Sequence, residues 1–258
     1  MEQIFGQIQT LLRSCEADTP FMPPTQLYNE GWMLRLTVDG FASIDLEQEP
    51  HPLAVPQGCR WYSEALIPSA FLPTSRGDSR AESWTHADGA IGHFDIGKGA
   101  KGNLTLHSNA KHFVVIEAKM FSKLSAGVKN AAYFNQAARN VACIAEVLKR
   151  ARRPVTDFKT LGFYVLAPAS QIEQSLFDEH LTKDSLRAVV ERRVKEYEGK
   201  QDRWFSEWFL PVNERLDIKV LSWEDLIAFL TVRNPYGNQL RVFYERCLEF
   251  NKPPEEVE

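Results

Sequence analysis

The chain lacks the sequence features of membrane, secreted and disulfide-stabilised proteins. No apolar run approaches the roughly 20 residues that a membrane-spanning helix needs. The segment Met1–Phe5 has neither the basic nor the apolar region of a secretion signal. The four cysteines show no paired spacing, which predicts reduced thiols. We therefore expect a cytoplasmic protein that has no membrane partner.

Several motifs of phosphate-binding and metal-binding proteins are also missing. The sequence has no GxxxxGK[ST] loop and no nucleophile elbow. Its histidines are not spaced as zinc ligands. Acidic residues outnumber basic ones by 34 to 30, for a formal charge of −4, whereas phosphate contacts usually leave a basic footprint. This charge disfavours a nucleic-acid enzyme, although cations bound to ligand carboxylates would cancel part of it.

The order of predicted elements favours one α/β domain. With 44% hydrophobic and 25% charged residues, the 258-residue chain has an ordinary globular composition. No linker or internal repeat divides it, so we predict a single domain over residues 1–258. The elements follow in the order helix, strand, hairpin, helix, strand, helices, strand, helix. This order predicts a mixed sheet with helices on both faces.

The segment His112–Met120 predicts a buried strand that ends in an acid and an amine. Because strand side chains alternate, Glu117 and Lys119 project from the same face. The carboxylate can hold a hard cation, and a lysine two residues later can orient water that attacks a phosphodiester. The alternative is a salt bridge where the strand leaves the core. The Glu-x-Lys pattern alone does not decide between them.

A second acid is predicted to reach Glu117 from the preceding hairpin arm. If Gly89–Phe94 pairs with His112–Ile116, Asp88 lies roughly opposite Glu117. Asp95 would then lie on the order of 20 Å away, because a strand rises about 3.3 Å per residue. The register therefore favours Asp88 as the second acid, although a short strand at 104–106 could alter the count.

A long amphipathic helix is predicted over Gly127–Lys149. One stripe of this helix is apolar, and a second carries Lys129, Tyr133, Gln136 and Asn140. The second stripe is either a solvated face or a row that faces the site. Arg139 lies off this row and could contact a phosphate.

These residues together resemble the PD-(D/E)XK nuclease superfamily, which has the restriction-endonuclease-like fold. The resemblance implies that Asp88 and Glu117 bind Mg²⁺ or Mn²⁺, with the Ala118 carbonyl as a possible further ligand. It also implies that Lys119 positions or activates water, and that Gln136 corresponds to a glutamine which some branches place on the following helix. The resemblance covers roughly residues 30–166. It implies a nuclease core at about 25–168, with 169–258 as a helical and strand elaboration.

Other residues are candidates for supporting roles in such a site. The motif name has proline immediately before its aspartate, whereas Ala87 precedes Asp88 here. This departure from the motif affects the choice of Asp88 as the second acid. Glu30 and Glu64 are candidates for a third acid. The alternative for Glu30 is a surface glutamate that the helix dipole favours. The alternative for Glu64 is a carboxylate on an edge strand with its hydrogen bonds satisfied. Tyr133, Arg139 and Asn140 are candidates for substrate contacts.

The preferred hypothesis is metal-dependent hydrolysis of nucleic acid, with DNA favoured over RNA. A role in genome defence follows from the resemblance alone. The main alternative is a catalytically silent binding or scaffold subunit of a larger complex, and a homodimer is also considered. Acid–base chemistry on a small phosphorylated substrate ranks lower because a phosphate loop is missing.

Overall fold

Two β-sheets organise the computed structural model of the chain, which describes residues 1–46, 50–73, 78, 80–97, 102–127 and 131–252. The larger sheet has five strands in the order β1-β2-β5-β6-β7, and β3 pairs with β4 in a separate small sheet. The strands are β1 (Arg60–Ile67), β2 (Thr85–Gly92), β3 (Phe94–Ile96), β4 (Leu104–Leu106), β5 (His112–Ala118), β6 (Thr160–Ala167) and β7 (Asp217–Ser222).

Ten α-helices occur in the described ranges. They are α1 (Glu2–Arg13), α2 (Glu30–Ala42), α3 (Gln136–Ala151), α4 (Ala169–Glu173), α5 (Asp178–Leu181), α6 (Lys183–Lys195), α7 (Asp202–Trp204), α8 (Leu210–Arg215), α9 (Trp223–Thr231) and α10 (Gly237–Asn251). A π-helical stretch, Phe205–Phe209, joins α7 to α8. None of these helices combines the length and apolar character needed to cross a membrane.

The larger sheet is mixed. β2 runs antiparallel to both of its neighbours, β1 and β5, whereas β5, β6 and β7 run parallel to one another. Every residue of β5 is buried, because helices cover both faces of the sheet. Phe113 and Val115 pack in the core that contains α3, and Val114 and Ile116 pack in the core that contains α2, α9 and α10. The predicted mixed α/β architecture is confirmed.

The hairpin register also agrees with the prediction. Gly89 pairs with Ile116 and Gly92 pairs with Phe113, so the next positions along the two strands are Asp88 and Glu117. Gly92 ends β2 with φ of 156°, and a Cβ there would lie 2.4 Å from a backbone oxygen of β5. The chain can therefore leave β2 for β3 only through glycine. The short strand at 104–106 is present as β4.

One helix begins later than the sequence predicts. Helix α3 starts at Gln136 because the Asn135 side chain accepts a hydrogen bond from the Ala138 N–H at 2.9 Å and caps the first turn. Residues 128–130, including Lys129, lie outside the described residues. Helix α2 starts at Glu30 and is capped by Asn29. A short 3₁₀ turn, Pro24–Gln26, precedes it.

The C-terminal segment contributes to the larger sheet as well as to its helical cover. β6 and β7 form where the sequence predicts strands, and β7 is an edge strand of the five-stranded sheet. Ser222 caps α9, since the Asp225 N–H donates to Ser222 Oγ at 3.0 Å. Residues after 168 therefore include part of the main sheet in addition to seven helices among the described residues.

Candidate active site

Two carboxyl groups converge where β2 and β5 part. The ladder between these strands ends at the Gly89–Ile116 pair. Just beyond it, Asp88 Oδ2 accepts a hydrogen bond from the Ala118 N–H at 2.8 Å. The Asp88 carboxyl group also lies close enough to Glu117 for the charge and hydrogen bonding of Glu117 to raise the Asp88 pKa. The predicted approach of these two acids is therefore present in the structure.

The proximity of the acids changes the ionisation of Asp88. The pKa of Asp88 is raised from its ordinary 3.8 to about 7, mainly by burial and also by the charge and hydrogen bonding of Glu117. The Ala118 N–H and the Lys119 ammonium oppose this rise. Near neutral pH, Asp88 of the metal-free protein is therefore protonated for part of the time.

Glu117 is surrounded by hydrogen-bond donors. Its Oε1 accepts from the Lys119 ammonium at 2.8 Å and from the Gln136 side-chain amide. Its Oε2 accepts from the Asn140 side-chain amide at 3.1 Å. Glu117 is 0% exposed and Lys119 is 8% exposed. The four side chains thus form one buried polar cluster on the α3 face of the sheet.

Helix α3 sets the geometry of this cluster. Gln136 is its first residue, and Ser125 donates to Gln136 Oε1 through its N–H at 3.1 Å and its hydroxyl at 3.2 Å. These bonds fix the amide so that its Nε2 faces Glu117. Asn140 follows one turn later and is fully buried. Its Oδ1 has no hydrogen-bond partner among the described residues, so the cluster contains an unused oxygen acceptor.

The donor set fits a hard divalent cation. A strand residue directs its N–H and C=O toward the same edge. The Ala118 N–H points to Asp88, whereas the following N–H, that of Lys119, donates to β6 at Leu166 O, 2.8 Å away. The Ala118 carbonyl is therefore directed toward the Asp88 side. Carboxylate and carbonyl oxygens are the ligands that Mg²⁺ and Mn²⁺ favour.

Neither candidate third acid joins these two carboxyl groups. Among the described residues, no three or more histidine, cysteine, aspartate or glutamate side chains form a group that could hold a metal ion. Glu64 lies opposite Asp88 at a position that the β1–β2 ladder skips, but its half-exposed side chain pairs with Arg35 at 3.4 Å. Glu30 lies near Cys247, whose thiol pKa is raised to about 12 by burial and, to a smaller extent, by Glu30.

Glu64 nevertheless has an unusual backbone. Its φ is 58°, a left-handed conformation that is rare for a non-glycine residue within a strand. Such backbone strain costs on the order of 1–3 kcal/mol and occurs often near functional sites. The irregular position lies directly beside Asp88 in the sheet, so the strain is located at the edge of the candidate site.

Only one of the three predicted substrate-contact residues lies at the acid pair. Asn140 contacts Glu117. Tyr133 precedes α3 and its hydroxyl donates to Glu196, because the helix begins too late to place it on the row with Asn140. Arg139 occupies another side of α3, near Glu82. Burial raises the pKa of Glu82, and Ser69 and Arg139 oppose that rise.

The family resemblance rests on Asp88, Glu117, Ala118, Lys119 and Gln136. Comparison with known proteins adds no support to it. No protein-family model, curated protein or solved structure matches this chain. The resemblance stays a prediction, and the geometry of the site is the basis for inferring a function.

Two supporting residues were not predicted from the sequence. Ser125 orients Gln136, and the buried Trp223 donates its indole N–H to Lys119 O at 2.8 Å. Trp223 is 104 residues from Lys119 in the chain. The sequence indicates only that Trp223 begins a helix after Ser222. Its contact with the site depends on the packing of α9 against the sheet.

Proposed function

We propose that this chain is a divalent-metal-dependent nuclease with a restriction-endonuclease-like fold. The observation that carries this proposal is the convergence of Asp88 and Glu117 beside the Lys119 ammonium at the point where β2 and β5 part. The preference for DNA over RNA, and a role in genome defence, rest on the family resemblance.

The residues of the cluster have distinct roles in this proposal. Asp88, Glu117 and the Ala118 carbonyl would hold Mg²⁺ or Mn²⁺. Such an ion, when bound, polarises the scissile phosphate and lowers the pKa of water. Lys119 supplies a fixed positive charge and hydrogen-bond donors where negative charge develops on the phosphate. Gln136 and Asn140 keep the Glu117 carboxylate in one orientation.

The energetic cost of the cluster supports a functional interpretation over a structural salt bridge. Burying Glu117 with Lys119 removes both charges from water, and such pairs often contribute little net stability. Burial raises the Asp88 pKa, and the repulsion between Asp88 and Glu117 adds to this rise. Costly arrangements of this kind are concentrated at functional sites.

Cleavage assays with matched lysine variants test the proposal. Plasmid DNA, single-stranded DNA and RNA are incubated with Mg²⁺ or Mn²⁺ and wild-type protein, Lys119→Ala or Lys195→Ala. Lys195 is an exposed residue paired with Glu191 at 2.9 Å. We expect Lys119→Ala to lose at least about 100-fold in cleavage rate, and Lys195→Ala to retain the wild-type rate. Equal rates for the two variants would remove the role of Lys119, and no cleavage by wild type would remove the nuclease.

A catalytically silent binding or scaffold subunit is the second candidate function. Both Glu117 oxygens already accept hydrogen bonds from protein donors, and the described residues supply no third acid. The net charge of −4 also suits such a role. Titration with Mg²⁺ and Mn²⁺ separates the two candidates. Millimolar binding that Asp88→Asn abolishes supports the nuclease, and undetectable binding supports the scaffold.

A further inference from the structure

We propose that a second cleft, at the opposite end of the parallel strands, binds a small organic phosphate. A cavity of about 1210 Å³ lies between the first residues of β5, β6 and β7 and the described parts of segment 44–57. His112, the first residue of β5, lines this cavity, whereas Glu117 is the sixth residue of the same strand. The two sites are therefore about 16 Å apart along β5, since a strand rises about 3.3 Å per residue.

The cleft has a polar floor built by close packing over a glycine. A Cβ on Gly162 would lie 2.7 Å from Tyr164 Cζ, so the Tyr164 ring lies directly over this glycine. The Tyr164 hydroxyl then donates to Asp217 Oδ2 at 3.0 Å. The Lys219 ammonium donates to the same oxygen at 2.6 Å. The Lys219 ammonium therefore offsets the charge of Asp217, so Asp217 adds little negative charge to the cleft.

Groups without protein partners line the same cleft. Lys159 and Arg215 are exposed, and neither forms an ion pair with a described residue. His112 is 8% exposed, and its buried Nε2 has no hydrogen-bond partner within the described part of the chain. Burial, with a smaller contribution from His93, lowers the pKa of His112 to about 4, so its imidazole is neutral at pH 7. The side chains of Lys159 and Arg215 therefore remain available to a ligand.

The lining indicates the chemical class of this ligand. Among the lining residues that the structure describes, the charged ones are three cations, Lys159, Arg215 and Lys219, and two acids, Asp45 and Asp217. A guanidinium with an ammonium favours a phosphate group, which guanidinium can bind through two parallel hydrogen bonds. Apolar side chains complete the lining, including Ile44, Pro52, Val55 and Leu161. The cavity exceeds the roughly 300–1,000 Å³ typical of small-molecule sites, so it has room for an organic body as well as a phosphate.

Ligand titrations followed by NMR test this site with defined probes. The probes are inorganic phosphate, adenosine 5′-monophosphate and adenosine, added at up to millimolar concentration. We expect both phosphates to shift the His112 ring resonances, and adenosine to bind at least about 10-fold more weakly than its monophosphate. That ratio corresponds to the loss of about 1.4 kcal/mol of binding free energy. Absence of shifts with both phosphates, or equal binding of adenosine, would overturn the proposal.

Variants then locate the site. Lys159→Ala with Arg215→Ala should weaken monophosphate binding at least about 10-fold. The control Lys195→Ala with Arg203→Ala, which removes the same charge from exposed positions, should leave binding unchanged. Equal loss in both double variants would overturn the assignment. So would preferential binding of a short DNA duplex that depends on Lys159 and Arg215, because the cleft would then contact a polymer.

This test does not depend on the proposed nuclease activity. Asp88→Asn alters the acid pair at the other end of β5 and should leave phosphate binding at the cleft unchanged. If Asp88→Asn abolished the response of His112, the phosphate would be bound at the acid pair and the second site would be refuted.

Discussion

Replacing Asp88 with asparagine should stabilise the metal-free protein at neutral and alkaline pH. Asparagine retains an oxygen that can accept the Ala118 N–H, and its Nδ2 can donate to Glu117. It therefore keeps the two contacts that Asp88 makes in its protonated form. Asparagine carries no charge, so the repulsion between the two carboxylates is removed.

The size of the effect follows from the pKa of Asp88. The pKa rises from 3.8 to about 7 on folding, and one pKa unit corresponds to about 1.4 kcal/mol. Ionising Asp88 therefore costs the folded protein up to about 4 kcal/mol, and solvent near the carboxyl reduces this to about 2–4 kcal/mol. Below pH 3.8 the carboxyl is protonated in both states and the cost is absent. Between pH 3.8 and 7 only the unfolded chain loses the proton, so stability falls as pH rises, and above pH 7 the cost is constant.

Urea denaturation in EDTA at pH 4, 6 and 8 measures this dependence. Asp88→Asn should differ little from wild type at pH 4 and be more stable by about 2–4 kcal/mol at pH 8. The control is Asp95→Asn, because the Asp95 side chain is 78% exposed and pairs with the partly exposed His107 at 3.3 Å; it should change stability by no more than about 1 kcal/mol at any of these pH values. An Asp88→Asn variant that is less stable than wild type at pH 8 would refute the reasoning. Mg²⁺ should then stabilise wild type more than the variant, because the ion binds the folded state.

Three further substitutions test individual contacts by chemical denaturation. Ser222→Ala removes the cap on the Asp225 N–H and should cost about 1 kcal/mol; no loss would mean that water replaces the cap. Gly92→Ala forces a Cβ against the backbone of β5 and should cost more than about 1 kcal/mol, so a neutral result would contradict the close approach. Trp223→Phe leaves the Lys119 carbonyl without its donor and should cost about 1–3 kcal/mol and slow metal-dependent cleavage. Unchanged cleavage with lowered stability would limit Trp223 to a structural role.

The candidate acid pair was predictable because its determinants are local. The run of apolar residues before Glu117 indicates a buried strand, and strand alternation then places Lys119 on the same face. The pairing of β2 with β5 then brings Asp88 opposite Glu117. Each step uses residues close in the sequence or the fixed geometry of paired strands.

The positions of Tyr133 and Arg139 could not be predicted in the same way. A continuous helix from residue 127 would place Tyr133 and Asn140 on one stripe, but the Asn135 cap starts the helix nine residues later. Helical periodicity identifies which residues share a face only after the first residue of the helix is known. The Glu196 partner of Tyr133 and the Glu82 neighbour of Arg139 come from distant segments.

The sequence by itself determined the mixed α/β architecture and the approach of Asp88 to Glu117, because hydrophobic periodicity and strand pairing depend on neighbouring residues. Tertiary structure alone decided which donors surround Glu117, how Trp223 holds Lys119, and that a second cleft forms around His112. These features require segments up to about 100 residues apart to pack together, and side-chain patterns within each segment carry no information about such contacts.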